Sequence, residues 1–435
     1  MFFCYAVIGA LAASFLTCIP ALHIYNVAGL LLLVDVGTNA FLGPEELSAL
    51  MIGLVTGYAM LNTIPSVFLS APDDSTVFVV LPGQKYLLQR RGWEAVLLTG
   101  GGGLGGVAVL TLLAPVASPL FSTTRAILQP HLHWILLAVI VFMLMSEWPK
   151  GTDRAGSPWA RLAEAWTSLV AGLATFVLSG LLGLVLMYRS PVRVDVAYQS
   201  LLPAFIGLFA IPWVLQNIVS RVQIPRQHVA TSVDADVSLW LRGVFAGTLG
   251  GLFAAFFPVV TGGIGGFIAG HATAQRDDRL FLISQGACKV IYYAGGLLLF
   301  FVPGLHLTRG GMAWMLSGVY TPYTPDTFYR AVAAVLLSGV VAFFMLLFLA
   351  RLAVGLVERV DYRRISVATL VLLLAIVLLT TGPAGLFIAA VATGIGLIPV
   401  LWGSRRMNCM GVLLLPIAMN MVGAGGTIAR WIGLI

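Results

Sequence analysis

Long runs without a single charged side chain constrain the fold of this chain more than any other feature. Stretches that lack Asp, Glu, Lys and Arg cover 1–34, 47–72, 95–124, 126–146, 165–188, 196–220, 243–275, 331–350, 365–404 and 407–429. The stretch 280–308 joins them with one charge inside it, Lys289. A membrane-spanning helix needs roughly 20 apolar residues. The sequence therefore predicts an all-α polytopic membrane protein with most of its chain in lipid.

The charge content excludes the common soluble classes. Only 9% of the 435 residues are charged and 59% are hydrophobic, whereas a soluble domain carries about 25% charged residues. So few charges cannot solvate a globular surface of this size, which excludes a cytosolic enzyme, a nucleic-acid-binding module and a disordered scaffold. The net charge of +7 comes mainly from short arginine clusters between apolar stretches, an arrangement typical of cytoplasmic loops. The N-terminal run stays uncharged until Asp35, and we expect it to be retained rather than cleaved.

Cysteine spacing and missing motifs narrow the chemistry. Cys4, Cys18, Cys288 and Cys409 lie far apart inside apolar stretches, so neither a disulfide framework nor a zinc site is expected. The sequence contains no phosphate-binding loop of the ATPase type, no His-Glu-x-x-His and no Gly-x-Ser-x-Gly. We therefore predict a protein that is not an enzyme and holds no metal or cofactor, with Na⁺ as one candidate coupling ion.

Two runs are too long for one helix and too short for two. Residues 1–34 and 243–275 each carry Gly and Pro near the middle, which suits either a long tilted helix or a re-entrant hairpin. The run 365–404 is long enough for two spans and contains Thr380-Thr-Gly-Pro-Ala-Gly385, which predicts a turn between two helices. With hairpins at 1–34 and 243–275, the count is about ten transmembrane helices.

The charges of the loops predict two halves of opposite orientation. The loop after 1–34 carries acids and no base, whereas the next polar loop carries Lys85, Arg90 and Arg91, which places the first outside and the second inside. Alternation then gives five spans after each hairpin. The first repeat would cover 1–220 (spans within 47–220), a cytoplasmic linker 221–242, and the second repeat 243–435 (spans within 280–429).

A match between two twelve-residue segments supports an inverted repeat, a recurrent plan in transporters. Gly9-Ala-Leu-Ala-Ala-Ser-Phe-Leu-Thr-Cys-Ile-Pro20 matches Gly247-Thr-Leu-Gly-Gly-Leu-Phe-Ala-Ala-Phe-Phe-Pro258 in register at Gly, Leu, Phe and Pro. Each segment stands at the head of its half. Two observations therefore support the pairing of 1–220 with 243–435: the four identical residues and the location of the matched segments at the start of each half.

A polar segment in and after the run 47–72 is the first candidate site. Pro65 and Pro72 each remove a backbone hydrogen bond, and the freed helix ends can bind ions. We assign substrate binding to the surrounding hydroxyl and amide side chains, namely Asn62, Thr63, Ser66, Ser70, Ser75 and Thr76. We assign ion coupling to Asp73 and Asp74. The alternative is a Pro-kinked helix whose hydroxyls bond to their own backbone, followed by an ordinary solvated helix end.

Lys289 is the second candidate, because an ionisable group inside a membrane segment is a functional hypothesis by default. A buried ammonium needs a carboxylate, carbonyl oxygens or an anionic substrate as its partner. Tyr293 follows four residues later, on the same helical face. Lys289, Tyr293 and Thr261 complete the predicted substrate-binding set. The alternative is a lysine that reaches the membrane surface along its own helix.

The tips of the two predicted hairpins are the third candidate. In the first hairpin we select Pro20, His23 and Asn26, and in the second Pro258, Gly262 and Gly263. Glycines at such a tip let the backbone approach a ligand closely, although glycine serves helix packing in membranes equally well. For His23 the alternative is a hydrogen-bonded packing role.

The block 57–92 resembles the TctA-type permeases of the tripartite tricarboxylate transporters. In that family a Gly-rich helix runs into a Leu-Asn-Thr-Pro-Gly-type loop, followed by a Gly-Tyr-Pro-type turn, a basic stretch and a glycine run. The counterparts here are Phe68-Leu-Ser-Ala-Pro72-Asp73, Leu81-Pro82-Gly83, Lys85 with Arg90-Arg91-Gly92, and Gly100 to Gly106. Gly247 to Gly270 resembles the family's second hairpin. The resemblance, closest in kind to stand-alone archaeal members, implies a secondary transporter fold.

Two departures from that family bear on the substrate. The first hairpin reads Pro20-Ala-Leu-His23 where the family has Pro-Gly, and Ala71-Pro72-Asp73 replaces Thr-Pro-Gly. The extra carboxylates Asp73 and Asp74 argue against a simple citrate pocket. Whether accessory transporter subunits act with the chain stays open.

These observations together predict a secondary active transporter of the cell membrane. It would move a small organic anion of the carboxylate class by alternating access, coupled to Na⁺ or H⁺. Its predicted partners are the lipid bilayer and a small organic anion or lipid phosphate, with no nucleic acid, and a homodimer stays open. One alternative is a translocase of a polyprenyl-phosphate carrier lipid. Another is a Mg²⁺-dependent prenyl-phosphate transferase, since Asp73-Asp74 and Asp277-Asp278 are paired carboxylates, although Arg276 and Arg279 flank the second pair.

Overall fold

A computed structural model describes residues 1–19, 22–37, 42–147, 157–192, 200–220, 223–230, 232–322 and 324–435. In this part of the chain the regular secondary structure is helical and contains no strand. The predicted all-α class is therefore confirmed. Pro20, predicted at the tip of the first hairpin, lies outside the described residues, as do parts of the predicted linker 221–242.

The helices follow one another along the chain with short connections. In order they are α1 (Phe2–Leu16), α2 (Ile24–Gly37), α3 (Pro44–Leu61), α4 (Thr63–Phe68), α5 (Val80–Leu88), α6 (Gly92–Leu113), α7 (Ala117–Leu128), α8 (Leu132–Met145), α9 (Pro158–Tyr188), α10 (Leu201–Phe205), α11 (Ile211–Ser220), α12 (Val237–Phe256), α13 (Gly262–Ala272), α14 (Asp278–Val290), α15 (Gly296–Phe301), α16 (Gly310–Ser317), α17 (Pro325–Arg359), α18 (Tyr362–Trp402), α19 (Gly411–Met421) and α20 (Gly425–Trp431). π-helical turns at Ile206–Ala210 and Ile291–Gly295 continue α10 into α11 and α14 into α15.

Among the described residues, eight helical segments are long and apolar enough to cross a membrane. They are Pro44–Phe68, Gly92–Met145, Pro158–Tyr188, Leu201–Ser220, Val237–Phe256, Asp278–Phe301, Pro325–Arg359 and Tyr362–Trp402. A ninth results if α19, with the turn before it, and α20 count as one span bent by 112°. Gly92–Met145 and Tyr362–Trp402 have 54 and 41 residues, more than one crossing needs. The predicted count of about ten therefore stays a prediction.

The helix breaks lie where Gly and Pro predict them. Within α18 the backbone leaves the helical conformation at Gly382 (φ 70°, ψ −164°), inside the predicted turn at 380–385. Residues 17–23 separate α1 from α2, and 257–261 separate α12 from α13. The 20 residues of α12 begin at Val237, inside the predicted linker, and suffice for one crossing. Re-entrance of the two hairpins therefore stays a prediction.

The chain divides into two compact units. Met1–Gln129 and Asn217–Thr369 form the first unit, and Pro130–Gln216 and Leu370–Ile435 form the second. Each unit takes residues from both predicted halves, so the division does not follow the linker at 221–242. The inverted repeat itself stays a prediction.

Two glycines of the matched segments make close helix contacts in the first unit. A Cβ on Gly9 in α1 would lie 2.2 Å from the carbonyl oxygen of Leu50 in α3. A Cβ on Gly247 in α12 would lie 2.3 Å from the carbonyl oxygen of Ser284 in α14. Since no side chain fits there, α1 packs directly against the backbone of α3, and α12 packs directly against the backbone of α14. The two matched positions thus have the same packing role, as a repeat would require.

Candidate functional site

A proline breaks the buried helix that carries the first candidate residues. Pro65 offers no backbone N–H and its ring clashes with the preceding turn, so α3 ends at Leu61 and α4 begins at Thr63. Asn62 stands at the break with its side chain buried. Ser66 Oγ donates to the carbonyl oxygen of Asn62 at 2.8 Å and so takes part in closing the break.

The carboxylate of Asp73, in the loop after α4, is surrounded by donors. Its Oδ1 accepts from the backbone amides and hydroxyls of Ser75 and Thr76 at 2.8–3.0 Å. Its Oδ2 accepts from Tyr58 Oη at 2.5 Å and from Asn62 Nδ2 at 3.0 Å. Hydrogen bonds to both oxygens stabilise the ionised form of a buried carboxylate. The loop therefore holds a fixed negative charge.

Lys289 of α14 supplies the opposite charge and is only 1% exposed. Its ammonium donates to Asn62 Oδ1 at 2.6 Å and to Thr63 Oγ1. The amide of Asn62 thus turns its oxygen toward the cation and its nitrogen toward Asp73. Both charges fix the same orientation of this amide, since an oxygen can only accept and an NH₂ can only donate.

His23, in the connection between α1 and α2, reaches the same cluster. Its Nε2 lies 3.6 Å from Asp74 Oδ1 and 3.1 Å from Tyr293 Oη. Tyr293 Oη in turn lies 3.4 Å from an oxygen of Asp73 and 3.4 Å from one of Asp74. Tyr293 belongs to the π-helical turn after α14, a distortion that frequently marks functional positions.

The break between α12 and α13 rests against the same loop. Thr261 Oγ1 caps α13 by accepting from Ile264 N at 3.5 Å and lies 3.4 Å from the carbonyl oxygen of Asp74. A Cβ on Gly263 would lie 2.4 Å from that oxygen, so only glycine fits. The carbonyl oxygen of Gly262 accepts from Cys288 Sγ at 3.2 Å. The tip of the second predicted hairpin is therefore in contact with the Asp73–Asp74 loop.

Three predicted residues lie at the margin of this cluster. Ser70 has a positive φ of 53° and hydrogen-bonds to Tyr362 Oη at 3.2 Å and to Gln84, away from Asp73. Asn26 lies in the first turn of α2, where its backbone amide donates to His23 O at 3.0 Å. Pro258 lies half-buried in the break between α12 and α13. The structure brings the other predicted residues that it describes together.

Three further side chains of the site, those of Tyr25, Tyr58 and Arg309, carry no signal in the sequence strong enough to predict them. The rings of Tyr25 and Tyr58 lie 4.6 Å and 5.2 Å from that of His23. Arg309, before α16, donates through Nη2 to the carbonyl oxygens of Ala254 (3.1 Å) and Val260 (3.0 Å) and so closes the α12–α13 break. Its Nε is buried without a hydrogen-bond partner among the described residues. A lone arginine between two apolar stretches is the only sequence signal for it.

Three side chains of the cluster offer ligand atoms close together. His23, Asp73 and Asp74 each contribute one such atom, and these atoms lie within 4.8 Å of one another. Because both oxygens of Asp73 already accept hydrogen bonds, a metal ion would have to displace donors there. A small crevice lined by Thr17, Leu22, Tyr58, Asn62 and Asp73, among others, borders the cluster.

Two comparisons with known proteins cover most of the chain. The model of the tripartite tricarboxylate transporter TctA family matches residues 3–411, which include the whole cluster. An uncharacterized protein of Methanocaldococcus jannaschii is 26% identical over 421 residues, which cover 95% of this chain and 97% of that protein. No solved structure matches this chain.

Proposed function

Because the chain belongs to the TctA family of the tripartite tricarboxylate transporters, we propose that it is a secondary active transporter that moves a small organic anion of the carboxylate class by alternating access. The observation that carries this proposal is the buried Lys289–Asn62–Asp73 arrangement at the meeting point of two broken helices. Buried charges are costly in a membrane protein and are kept where they bind or move something.

The cations of the cluster give the anion its binding site. Lys289 has three N–H donors, and Asn62 and Thr63 accept two of them, which leaves one for a substrate carboxylate. The substrate would approach along the crevice beside Tyr58 and Asn62. Tyr58 Oη and Asn62 Nδ2 now donate to Asp73, and a substrate carboxylate would compete for the same donors.

Protons provide the coupling in this proposal. A neutral His23 leaves the two carboxylates Asp73 and Asp74 facing an incoming anion, whereas a protonated His23 adds a positive charge 3.6 Å from Asp74. A carboxylate therefore binds better when His23 carries a proton. Sodium is the alternative coupling ion, held by the oxygens around Asp74.

Uptake into liposomes tests the proposal. The full-length protein is reconstituted, and uptake of radiolabelled di- and tricarboxylates is measured under an imposed proton gradient, an imposed Na⁺ gradient, or neither. We expect accumulation driven by the proton gradient that Lys289→Met abolishes and that Ser317→Ala, at the exposed end of α16, retains. Accumulation driven only by Na⁺ would refute the proton coupling. No uptake of any carboxylate, together with thermal stabilisation by polyprenyl phosphate alone, would replace the proposal with the carrier-lipid alternative.

A further inference from the structure

A second largely buried guanidinium, that of Arg406, lies in the second compact unit at the turn between α18 and α19. Its Cζ lies over the ring of Trp213 in α11, 3.4 Å from the ring centroid. Nη2 makes one long hydrogen bond of 3.3 Å to Gln216 Oε1. Nη1 is buried without a partner among the described residues. Among the described residues this cation therefore has no carboxylate to balance its charge.

The acid in this region is engaged elsewhere. Glu147, after α8, accepts through Oε1 from the backbone amide of Arg405 at 2.6 Å and from Asn408 Nδ2 at 3.0 Å. No ion pair joins Arg406 to a carboxylate within the described part of the chain. Within the described residues the guanidinium therefore has no counter-charge, and since an unpaired buried charge is strongly unfavourable, an anion bound from outside the chain would stabilise it.

Neighbouring groups show what kind of anion would fit. Trp213 Nε1 is a donor on a side chain that is only 7% exposed, and it has no hydrogen-bond partner in the described part of the chain. The hydroxyl of Ser404, two residues before Arg406, is also buried without a hydrogen-bond partner among the described residues. Unpaired buried donors each cost free energy, which an acceptor-rich ligand would recover. A phosphate group offers several acceptor oxygens and suits the fork of an arginine.

The position of the turn favours a lipid as the source of the phosphate. Trp402 ends α18 with half of its surface exposed, and Leu401 before it is also exposed. An exposed tryptophan at the end of a long apolar helix, followed three and four residues later by two arginines, is typical of the interface with the basic side of a membrane. Anionic lipids concentrate at that surface.

We propose that Arg406, Trp213 and Ser404 bind the phosphate of an anionic phospholipid headgroup. This site is independent of the transport cluster, because none of the three residues belongs to it. Arg406 contributes the charge and one or more donors, and Trp213 holds the guanidinium over its ring and adds its indole N–H. The lipid thus completes the hydrogen bonding of the turn between α18 and α19.

Lipid binding by the full-length protein in detergent tests the proposal. Native mass spectrometry and thermal-shift titration are run with phosphatidylglycerol, phosphatidylcholine and inorganic phosphate. We expect phosphatidylglycerol to be retained by the wild type and to raise its melting temperature more than phosphatidylcholine does. Arg406→Gln should weaken phosphatidylglycerol binding at least about tenfold. Arg430→Gln, which removes an equal charge from exposed α20, is the matched control and should leave binding unchanged.

Trp213→Phe separates the loss of a hydrogen-bond donor from a loss of folding. It removes the indole N–H but retains an aromatic ring under Arg406. It should weaken phosphatidylglycerol binding without lowering the melting temperature of the lipid-free protein by more than the control does. Equal binding of phosphatidylglycerol by the wild type and Arg406→Gln would overturn the proposal. If inorganic phosphate alone produced the Arg406-dependent stabilisation and the lipid did not, the anion site would stand and the lipid as its occupant would be refuted.

Discussion

Lys289 and Asp73 are joined through one side-chain amide: Asn62 accepts a hydrogen bond from the ammonium at 2.6 Å and donates one to the carboxylate at 3.0 Å. Reversing the amide would place like partial charges against each other at both ends. The two charged groups come from parts of the chain that are more than two hundred residues apart. Asn62 therefore makes the position of α14 dependent on that of the Asp73 loop.

Asn62→Leu should remove this link while keeping a similar volume. It leaves Asn62's partners, the ammonium of Lys289 and one oxygen of Asp73, each short of a hydrogen bond, which costs roughly 1–3 kcal/mol. We expect a lower unfolding midpoint and the loss of carboxylate uptake. Ser317→Ala serves as the control, because the exposed hydroxyl of Ser317 bonds to the carbonyl oxygen of Trp314 in its own helix. Wild-type uptake by Asn62→Leu would contradict a functional role for the link.

Lys289→Met and Asp73→Asn should be coupled in their effects. Either change alone leaves one buried charge without its opposite, and breaking a buried pair costs about 3–5 kcal/mol. The double variant removes both charges, so its unfolding midpoint should lie above that of the worse single variant. Transport should stay lost in the double variant, because the cation is still absent. Strictly additive destabilisation would show that the two charges do not interact through Asn62.

Carboxylate uptake should depend on the imidazole of His23. Its Nε2 lies 3.6 Å from Asp74 Oδ1 and 3.1 Å from Tyr293 Oη, and its ring lies against those of Tyr25 and Tyr58. His23→Gln keeps a hydrogen-bonding side chain but removes the ring and its contacts, so uptake should be slower than in the wild type. Wild-type uptake by His23→Gln would contradict a role for the imidazole.

Gly263→Ala should disturb the loop without altering any polar group. The new methyl carbon would lie 2.4 Å from the carbonyl oxygen of Asp74, so the α12–α13 break or the loop must move. Overpacking of this kind typically costs about 1–3 kcal/mol, and we expect slower uptake together with a lower unfolding midpoint. Gly355→Ala in α17 is the matched control, because nothing lies within 4 Å of its Cβ position. Equal behaviour of the two variants would refute tight contact at Gly263.

Asp277, in the loop before α14, should make a pH-dependent contribution to stability. Its hydrogen bonds to the side chain of Arg279 hold the pKa of this carboxyl below its ordinary value of 3.8. The contribution is therefore present above the unfolded-state pKa and disappears as pH falls through the folded-state pKa. Asp277→Asn should lower the unfolding midpoint slightly at pH 7. The difference from wild type should shrink at pH 3, and a difference that grew on acidification would contradict this assignment.

Asn62, Asp73 and Lys289 could be found from the sequence because polar residues stand out against an apolar background. Tyr25 and Tyr58 could not, since tyrosine is common in apolar helices and only the fold brings these rings to His23. Proximity in sequence predicts Ser70 as part of the site. Its positive φ turns the chain there, and its hydroxyl bonds to Tyr362. No local sequence pattern predicts that turn.

The helix boundaries show the same limit. The turn at Gly382 follows from Gly and Pro alone, because their backbone preferences are local. The start of α12 at Val237 does not follow from the sequence, because the aspartates and Arg242 beside it are typical of a loop. Asp236 accepts from the amide of Leu239 at 2.9 Å, so that acid caps the helix rather than preventing it.

The closure of the α12–α13 break by Arg309 has a consequence for the conditions under which the fold holds. The guanidinium satisfies the carbonyl oxygens of Ala254 and Val260, a task that a bound metal cation could also perform. A cation tethered to the chain cannot be diluted, exchanged or pumped away. The bend should therefore keep its shape at low salt and on either side of an ion gradient, while a bend held by dissolved Na⁺ would loosen whenever the ion left.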